Sequence, residues 1–159
     1  MYEILPLTPE DLDEVSQLER RCFSDPWPKE LFFREAEDRP DNFSRVLRDG
    51  EGPLLAYSIA WIVADEAHLG DIAVAPEQRG KGLAKLLLRE LISEARVRGA
   101  VHIVLEVRAS NENAIHLYEK HGFENVAIRR GYYEDDQEDA LVMMLRLQPE
   151  ATVQARREC

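Results

Sequence analysis

The run from Gly70 to Gly99, GDIAVAPEQRGKGLAKLLLRELISEARVRG, constrains this chain more than any other stretch. Asp71-Ile72-Ala73-Val74 is short, apolar and bounded by Gly70 and Pro76, the pattern of a strand. Leu83, Leu86, Leu87, Leu91 and Ala95 then recur at helical spacing, and Gly99 closes the helix. Between strand and helix, Arg79-Gly80-Lys81-Gly82 leaves the main chain uncovered by side chains where the helix begins. The first N–H groups of a helix have no partners inside it. Those donors, the positive end of the helix dipole and the cations of Arg79, Lys81 and Lys85 suit a diphosphate. No Gly-Lys-Ser or Gly-Lys-Thr follows at the spacing of a nucleotide-triphosphate loop, and Lys85 stands where a dinucleotide fingerprint needs its third glycine. A tight strand-to-helix turn with no ligand stays open on these residues alone.

Upstream, Tyr2 to Leu5 can make a first strand. Thr8-Pro9-Glu10-Asp11 supplies an N-cap, a proline at the first helical position and acids in the first turn, and Leu12, Val15, Leu18 and Cys22 form the buried stripe of a helix. Phe23-Ser24-Asp25-Pro26-Trp27-Pro28 breaks it, either as a rigid corner that plugs the core or as a wall of an acceptor pocket. A second helical segment is expected from about Lys29 to Glu37, with Leu31, Phe32 and Ala36 inward. Strands follow at Phe43 to Leu47, Leu54 to Ala64 and Ala67 to Val74, separated by the turns Asp49-Gly50-Glu51-Gly52 and Asp65-Glu66. After the long helix, Val101, Ile103, Leu105 and Val107 occupy one face of a strand, and His102, Val104 and Glu106 the other. Arg108-Ala109-Ser110-Asn111 leads into a short helix from Glu112 to Lys120 that Gly122 stops, and Phe123 to Ile128 and Ala140 to Leu147 are the last two strands.

At 159 residues and 45% hydrophobic, the chain is sized for one domain. No apolar run reaches membrane-spanning length, and MYEILPLTPEDLDEV turns acidic where a signal peptide needs a basic start, so a cytoplasmic protein without membrane contact is expected. Cys22 and Cys159 make neither a metal spacing nor a disulfide framework. His68, His102, His116 and His121 have no metal spacing among them and are given no role. The formal charge of -11, from 31 acids against 20 bases, repels phosphate backbones, argues against direct nucleic-acid binding and favours a basic partner.

Arg79-x-x-Gly82-x-Ala84 resembles the pyrophosphate loop of the GCN5-related N-acetyltransferases (GNAT), with alanine where glycine is commoner. Further motifs sharpen the likeness: Leu105-Glu106-Val107-Arg108-Ala109-Ser110-Asn111, then Ala114-Ile115-x-Leu117-Tyr118-Glu119, Gly122-Phe123, Arg129-Arg130-x-Tyr132-Tyr133 and Glu138-Asp139-Ala140. Together with Pro26-Trp27 and Asp65-Glu66-Ala67, these resemble the ribosomal-protein-alanine N-acetyltransferases (RimI family) and in part the archaeal N-terminal acetyltransferases. The resemblance implies an α/β GNAT fold, with a mixed, mostly antiparallel central sheet of about seven strands flanked by about four helices. It implies one acetyltransferase domain over residues 1–148 and a polar tail from 149 to 159. The implied co-substrate is acetyl-CoA, with no metal. Its pyrophosphate would lie on Arg79, Gly80, Lys81, Gly82, Leu83, Ala84 and Lys85, its pantetheine arm along the backbone of Ile72, Ala73 and Val74, and Asn111 would also contact it. The implied general base is Glu106 and the implied general acid Tyr118. The implied acceptor is the N-terminal alanine of a small-subunit ribosomal protein.

The residues themselves leave alternatives beside each role. An amine attacks a thioester only when neutral, and an α-amino group has a pKa of about 7.7–8.0 against about 10.4 for lysine. Glu106, between Leu105 and Val107, is expected either to have its pKa raised by partial burial and accept the proton, or to point to solvent on the polar face. Tyr118, three residues after Ile115, is either a core residue or the acid that protonates the departing thiolate. Asn111 on sequence alone is a helix cap. Tyr132, Tyr133 and the acidic run from Glu134 to Asp139 either wall a site for a positive peptide or form an ordinary polar turn. Two other functions compete: a small-amine acetyltransferase acting on a polyamine or antibiotic, and a non-catalytic acyl-CoA-binding module that regulates a partner.

Overall fold

The computed structural model describes residues 1–148, and the polar tail expected from residue 149 lies outside them. Seven strands occur among the described residues: β1 (Tyr2–Pro6), β2 (Arg45–Asp49), β3 (Leu54–Val63), β4 (Glu66–Val74), β5 (His102–Arg108), β6 (Glu124–Arg129) and β7 (Ala140–Arg146). They hydrogen-bond in the order β1-β2-β3-β4-β5-β7-β6. The helices are α1 (Leu12–Cys22), α2 (Leu83–Val97) and α3 (Glu112–Lys120), with short 3-10 turns elsewhere. The ladders of β1 with β2, β2 with β3, β5 with β7 and β6 with β7 are antiparallel, while β4 and β5 run parallel. This is the mixed, mostly antiparallel α/β sheet expected from the sequence. The residues group into two compact units, Met1–Trp61 with Gly70–Leu91, and Ile62–Leu69 with the described residues from Ile92 onward.

In the first unit, the stripe of α1 is buried as its spacing predicts: Leu12, Val15 and Leu18 cluster with Leu7, Phe32, Val46, Tyr57, Ile59 and Ala73. The N–H of Thr8 donates to the Asp11 carboxylate at 2.9 Å, and Pro9–Asp11 forms a 3-10 turn ahead of the helix. The Pro26-Trp27 connector packs Trp27 against the core. The Trp27 ring lies 5.3 Å from that of Phe32, and the main-chain N–H of Trp27 donates at 2.9 Å to the buried carboxyl of Glu19, which also accepts the Tyr57 hydroxyl.

The segment from Lys29 to Glu37 departs from expectation. It forms two 3-10 turns, Lys29–Phe32 and Arg34–Ala36, and although Phe32 and Ala36 are buried, Leu31 is 55% exposed. The cause lies downstream. The Asn42 side chain donates to the carbonyls of Glu35 and Glu37, at 2.7 and 2.8 Å, and so takes the acceptors that a continuing helix would use. Trp61 Nε1 donates to Glu35 at 2.6 Å and fixes the same turn from β3.

In the second unit, β5 alternates as predicted: Ile103, Leu105 and Val107 are buried, and His102, Val104, Glu106 and Arg108 are half-buried on the other face. Val101, expected on the buried face, is exposed, because it precedes the strand and is held only by its main chain, to Asp65 at 2.7 Å and Leu147 at 2.8 Å. The parallel ladder sets Glu66–Leu69 beside His102–Leu105. Asn111 caps α3, its side chain accepting the Ala114 N–H at 3.2 Å, and Gly122 ends that helix at φ 94°.

Candidate active site

In the first unit, β4 delivers the chain to the glycine loop. The Ala75 N–H donates to Leu55 at 2.9 Å, and a 3-10 turn, Pro76–Gln78, carries the backbone to Arg79. Gly80 and Gly82 have φ of 81° and 79°, the left-handed region that side chains disfavour. A Cβ built at either meets nothing within 4 Å, so the space beside the loop is open. The Gly82 carbonyl accepts the first helical bond, from the Leu86 N–H at 3.1 Å. The N–H groups of Leu83, Ala84 and Lys85 therefore precede the first intrahelical donor of α2. Lys81 Nζ reaches Gln78 at 3.0 Å, and Leu83 is buried, which anchors the turn.

An open left-handed loop, free helix-end donors and local cations fit a diphosphate. Just upstream, Ala73 is buried, and Ile72 and Val74 pack against the core of Leu47, Ala56, Leu83 and Leu87. Their side chains are thus committed to packing, and main-chain groups are what these positions can offer a ligand.

In the second unit, Glu106 is the centre of a polar cluster. Its Oε2 lies 2.8 Å from His68 Nε2, Oε1 lies 3.7 Å from an Arg129 guanidinium nitrogen, and its side chain is 16% exposed. The hydrogen bond to His68 holds its carboxyl below the usual range, with the charges of His68 and Arg129 acting in the same direction against the desolvation of burial. The expected upward shift is therefore overturned: burial is present, but donors from β4 and β6 outweigh it. Arg129 also stacks 4.5 Å over the Tyr132 ring, which meets Tyr133 edge-on at 5.1 Å.

The acidic run beside these tyrosines folds back on Arg108. That guanidinium binds Asp135 and Asp136 at 2.9 Å and Glu138 at 3.2 Å, and lies 4.0 Å over Tyr133. Burial pushes the Tyr133 hydroxyl up to about 12. Glu138 also accepts the Ser110 N–H at 2.7 Å, and Asp139 accepts that of Gly131 at 2.9 Å. Four of the five acids between Glu134 and Asp139 thus have partners within the hairpin or on Arg108. Tyr118 is 4% exposed and packs against Phe123 at 5.7 Å. The structure brings Glu106 together with His68 and Arg129 and buries Tyr118 against Phe123.

His68, Arg108 and Arg129 were given no role from the sequence. Alternation along β4 puts Glu66 and His68 on one face, but only the parallel register reveals that this face meets Glu106. No group of three or more metal-binding side chains occurs among the described residues, and no described helix is long and apolar enough to cross a membrane.

The model of the acetyltransferase (GNAT) family matches residues 12–123. The chain belongs to the GNAT acetyltransferase family. It is 42% identical over 147 residues to a [ribosomal protein bS18]-alanine N-acetyltransferase of Salmonella typhimurium, covering 91% of this chain and 97% of the relative. The crystal structure of the ribosomal-protein-S18-alanine N-acetyltransferase from Escherichia coli superposes with a TM-score of 0.84 at 38% identity, over 94% of this chain and 97% of that one. Arabidopsis thaliana NAA60 in complex with acetyl-CoA shares the fold at 22% identity, with a TM-score of 0.81 over 92% and 99% of the two chains. The GNAT chain described here is accordingly an acetyl-CoA-dependent acetyltransferase, and acetyl-CoA supplies the activated acetyl thioester.

Proposed function

We propose that this enzyme transfers acetyl from acetyl-CoA to the α-amino group of a protein N-terminus, the alanine of ribosomal protein bS18 in the first place. The observation that carries this reading is the near full-length likeness to enzymes named for that reaction. The chemistry agrees with it. At neutral pH an α-amino group offers about 10² to 10³ times more of the reactive neutral form than a lysine side chain. An acceptor of this kind needs little help beyond a place for its proton.

In this proposal the glycine loop from Arg79 to Lys85 holds the diphosphate of the co-substrate, the main chain of Ile72 to Val74 aligns its arm, and Asn111 contacts it. Glu106, ionised across the neutral range, supports loss of the amine's proton directly or through water. Tyr118 donates a proton to the departing thiolate. The open loop supports the place given to the diphosphate, and the downward shift of Glu106 keeps its carboxylate deprotonated at neutral pH while making it a weaker base. A substrate made on ribosomes places the enzyme's work in the cytoplasm, with no membrane or direct nucleic-acid contact required.

Glu106→Gln and Tyr118→Phe test these roles. Both should lower kcat on an alanine-terminated peptide by about 10²-fold or more while leaving CoA binding, followed by calorimetry, unchanged. Parent-like turnover in both variants removes the assigned roles.

A further inference from the structure

We infer that Asp71 is held protonated against Glu19, and that this proton clasps the last turn of α1 to the strand and loop that carry acetyl-CoA, so that proton binding and co-substrate binding are linked. Both acids are then positioning residues. This rests on the acetyl-transfer reading, which lays the co-substrate along Ile72 to Val74 and Arg79 to Lys85. Glu19 is 1% exposed, and Tyr57 on β3 is fully buried. Glu19 accepts the Tyr57 hydroxyl at one oxygen and, at 2.9 Å, the main-chain N–H of Trp27 at the other. Its carboxyl is also in hydrogen-bond contact with that of Asp71, whose Oδ2 lies 3.4 Å from the Tyr57 oxygen.

The donors available fix which carboxyl is the acid. An ionised carboxylate can only accept a hydrogen bond, so two of them have no hydrogen to place between them. Like charges in contact and shielded from water do not both ionise. Both oxygens of Glu19 already receive a donor, which makes Glu19 the acceptor of the pair. Tyr57 has one hydroxyl proton and gives it to Glu19. The hydrogen between the two carboxyls is therefore that of Asp71, and burial together with the neighbouring Glu19 keeps it there.

The same turn of α1 meets the co-substrate segment again further along. Cys22 Sγ donates to the Val74 carbonyl at 3.4 Å, the Cys22 side chain contacts Arg79, and Arg21 pairs with Glu77. The Arg21 pair is exposed and contributes little, so the contacts of Glu19 and Cys22 hold the two elements together. Asp71 also accepts the N–H of Ile72, the next residue along β4. Loss of its proton sets two negative charges in contact. Turning Asp71 away from Glu19 relieves the repulsion and draws the Ile72 main chain with it, at the start of the stretch that aligns the arm of the co-substrate.

The ionisable groups that face the pair are Tyr57 from β3, Cys22 and Arg21 from α1, and Arg79 from the loop beyond β4. Burial pushes the Tyr57 hydroxyl and the Cys22 thiol up, so both stay neutral to about pH 8.5, and arginine stays cationic. Asp71 loses its proton as pH rises through its raised value, and affinity for acetyl-CoA falls with it. By reciprocity, bound acetyl-CoA tightens the hold of Asp71 on its proton by the same factor, commonly about 5–150-fold for linked sites.

The test titrates acetyl-CoA into the full-length enzyme by calorimetry at pH 6 and pH 8.5, comparing the parent with Asp71→Asn and Glu19→Gln. The amide of Asp71→Asn donates to Glu19 at every pH, and that of Glu19→Gln donates to an ionised Asp71. Both variants thus keep the contact and the side-chain shape without the titrating proton. Relative to either variant, the Kd of the parent should rise about tenfold between the two pH values. The ratio cancels the titration of the co-substrate's own phosphates. A ratio that changes less than threefold against either variant overturns the inference, as does a variant that fails to bind at pH 6. If the parent binds no acetyl-CoA at either pH, the placement of the co-substrate fails and this inference falls with it. Tight binding by the parent that does not weaken with pH relative to the variants refutes the inference alone.

Discussion

A methyl group added at Gly70 would run into the edge of the Trp61 indole, overlapping Cη2 and Cζ3 and sitting 3.4 Å from Cζ2. Optimal carbon contacts lie at about 3.5–4.0 Å, so the indole or the strand must move. Two routes are open to Gly70→Ala. If the ring stays, overpacking costs about 1–3 kcal/mol. If it swings away, the bond from Nε1 to the buried Glu35 carboxyl, 2.6 Å long, is lost at about 1.5–3 kcal/mol. Either cost is offset by about 0.5–1 kcal/mol, the usual advantage of alanine over glycine inside a strand. The net destabilisation is at most about 2.5 kcal/mol and centres near 1 kcal/mol, equivalent to a fall of roughly 2–4 °C in Tm for a chain of this size.

Urea unfolding followed by tryptophan fluorescence measures this directly, since Trp61 is one of two tryptophans. The informative comparison is with Trp61→Phe, which removes the outer ring. In that background Gly70→Ala should be neutral or mildly stabilising, giving a coupling of at least about 1 kcal/mol between the two positions. An equal loss in both backgrounds, or no loss in the parent, refutes the contact.

Other perturbations follow from particular charges. The Asp71 carboxyl is pushed well above its ordinary range by burial and by the Glu19 carboxyl beside it. Its contribution to stability is full below the unfolded value near 3.8 and is lost as pH rises through the raised folded value. Asp71→Asn should therefore gain on the parent in unfolding midpoint between pH 5 and pH 8, and a difference that stays constant with pH contradicts this. Arg108→Leu should free three acids and lower stability by about 1–2 kcal/mol, a loss that shrinks at 1 M salt as their repulsion is screened. Salt-independent destabilisation would mean that packing over Tyr133, and not charge, sets the effect. Cys22, whose thiol burial pushes up, should alkylate more slowly in the native protein at neutral pH than after unfolding in urea.

What the sequence disclosed was local. The strand, glycine loop and helix from Gly70 to Gly99 lie within one stretch, so hydrophobic spacing and glycine placement announce them. Alternation likewise put Glu106 on the more open face of β5. What escaped depends on partners distant in sequence. His68 stands 38 residues before Glu106 and reaches it only through the β4–β5 register, which no periodicity encodes. The acidic hairpin was open to two readings, a site for a positive peptide or an ordinary polar turn, and counting charge could not show that three of its acids gather on Arg108. The helix expected from Lys29 failed for the same reason, since Asn42 and Trp61 decide its geometry from outside.

The central claim concerns which nitrogen receives the acetyl group. A peptide beginning Ala and carrying internal lysines, incubated with this enzyme and acetyl-CoA and sequenced by tandem mass spectrometry, decides it. A single acetyl on the α-nitrogen, with the lysines unmodified, is the predicted result. Acetyl found on lysine side chains, or a peptide left untouched while a free polyamine is acetylated, would contradict it.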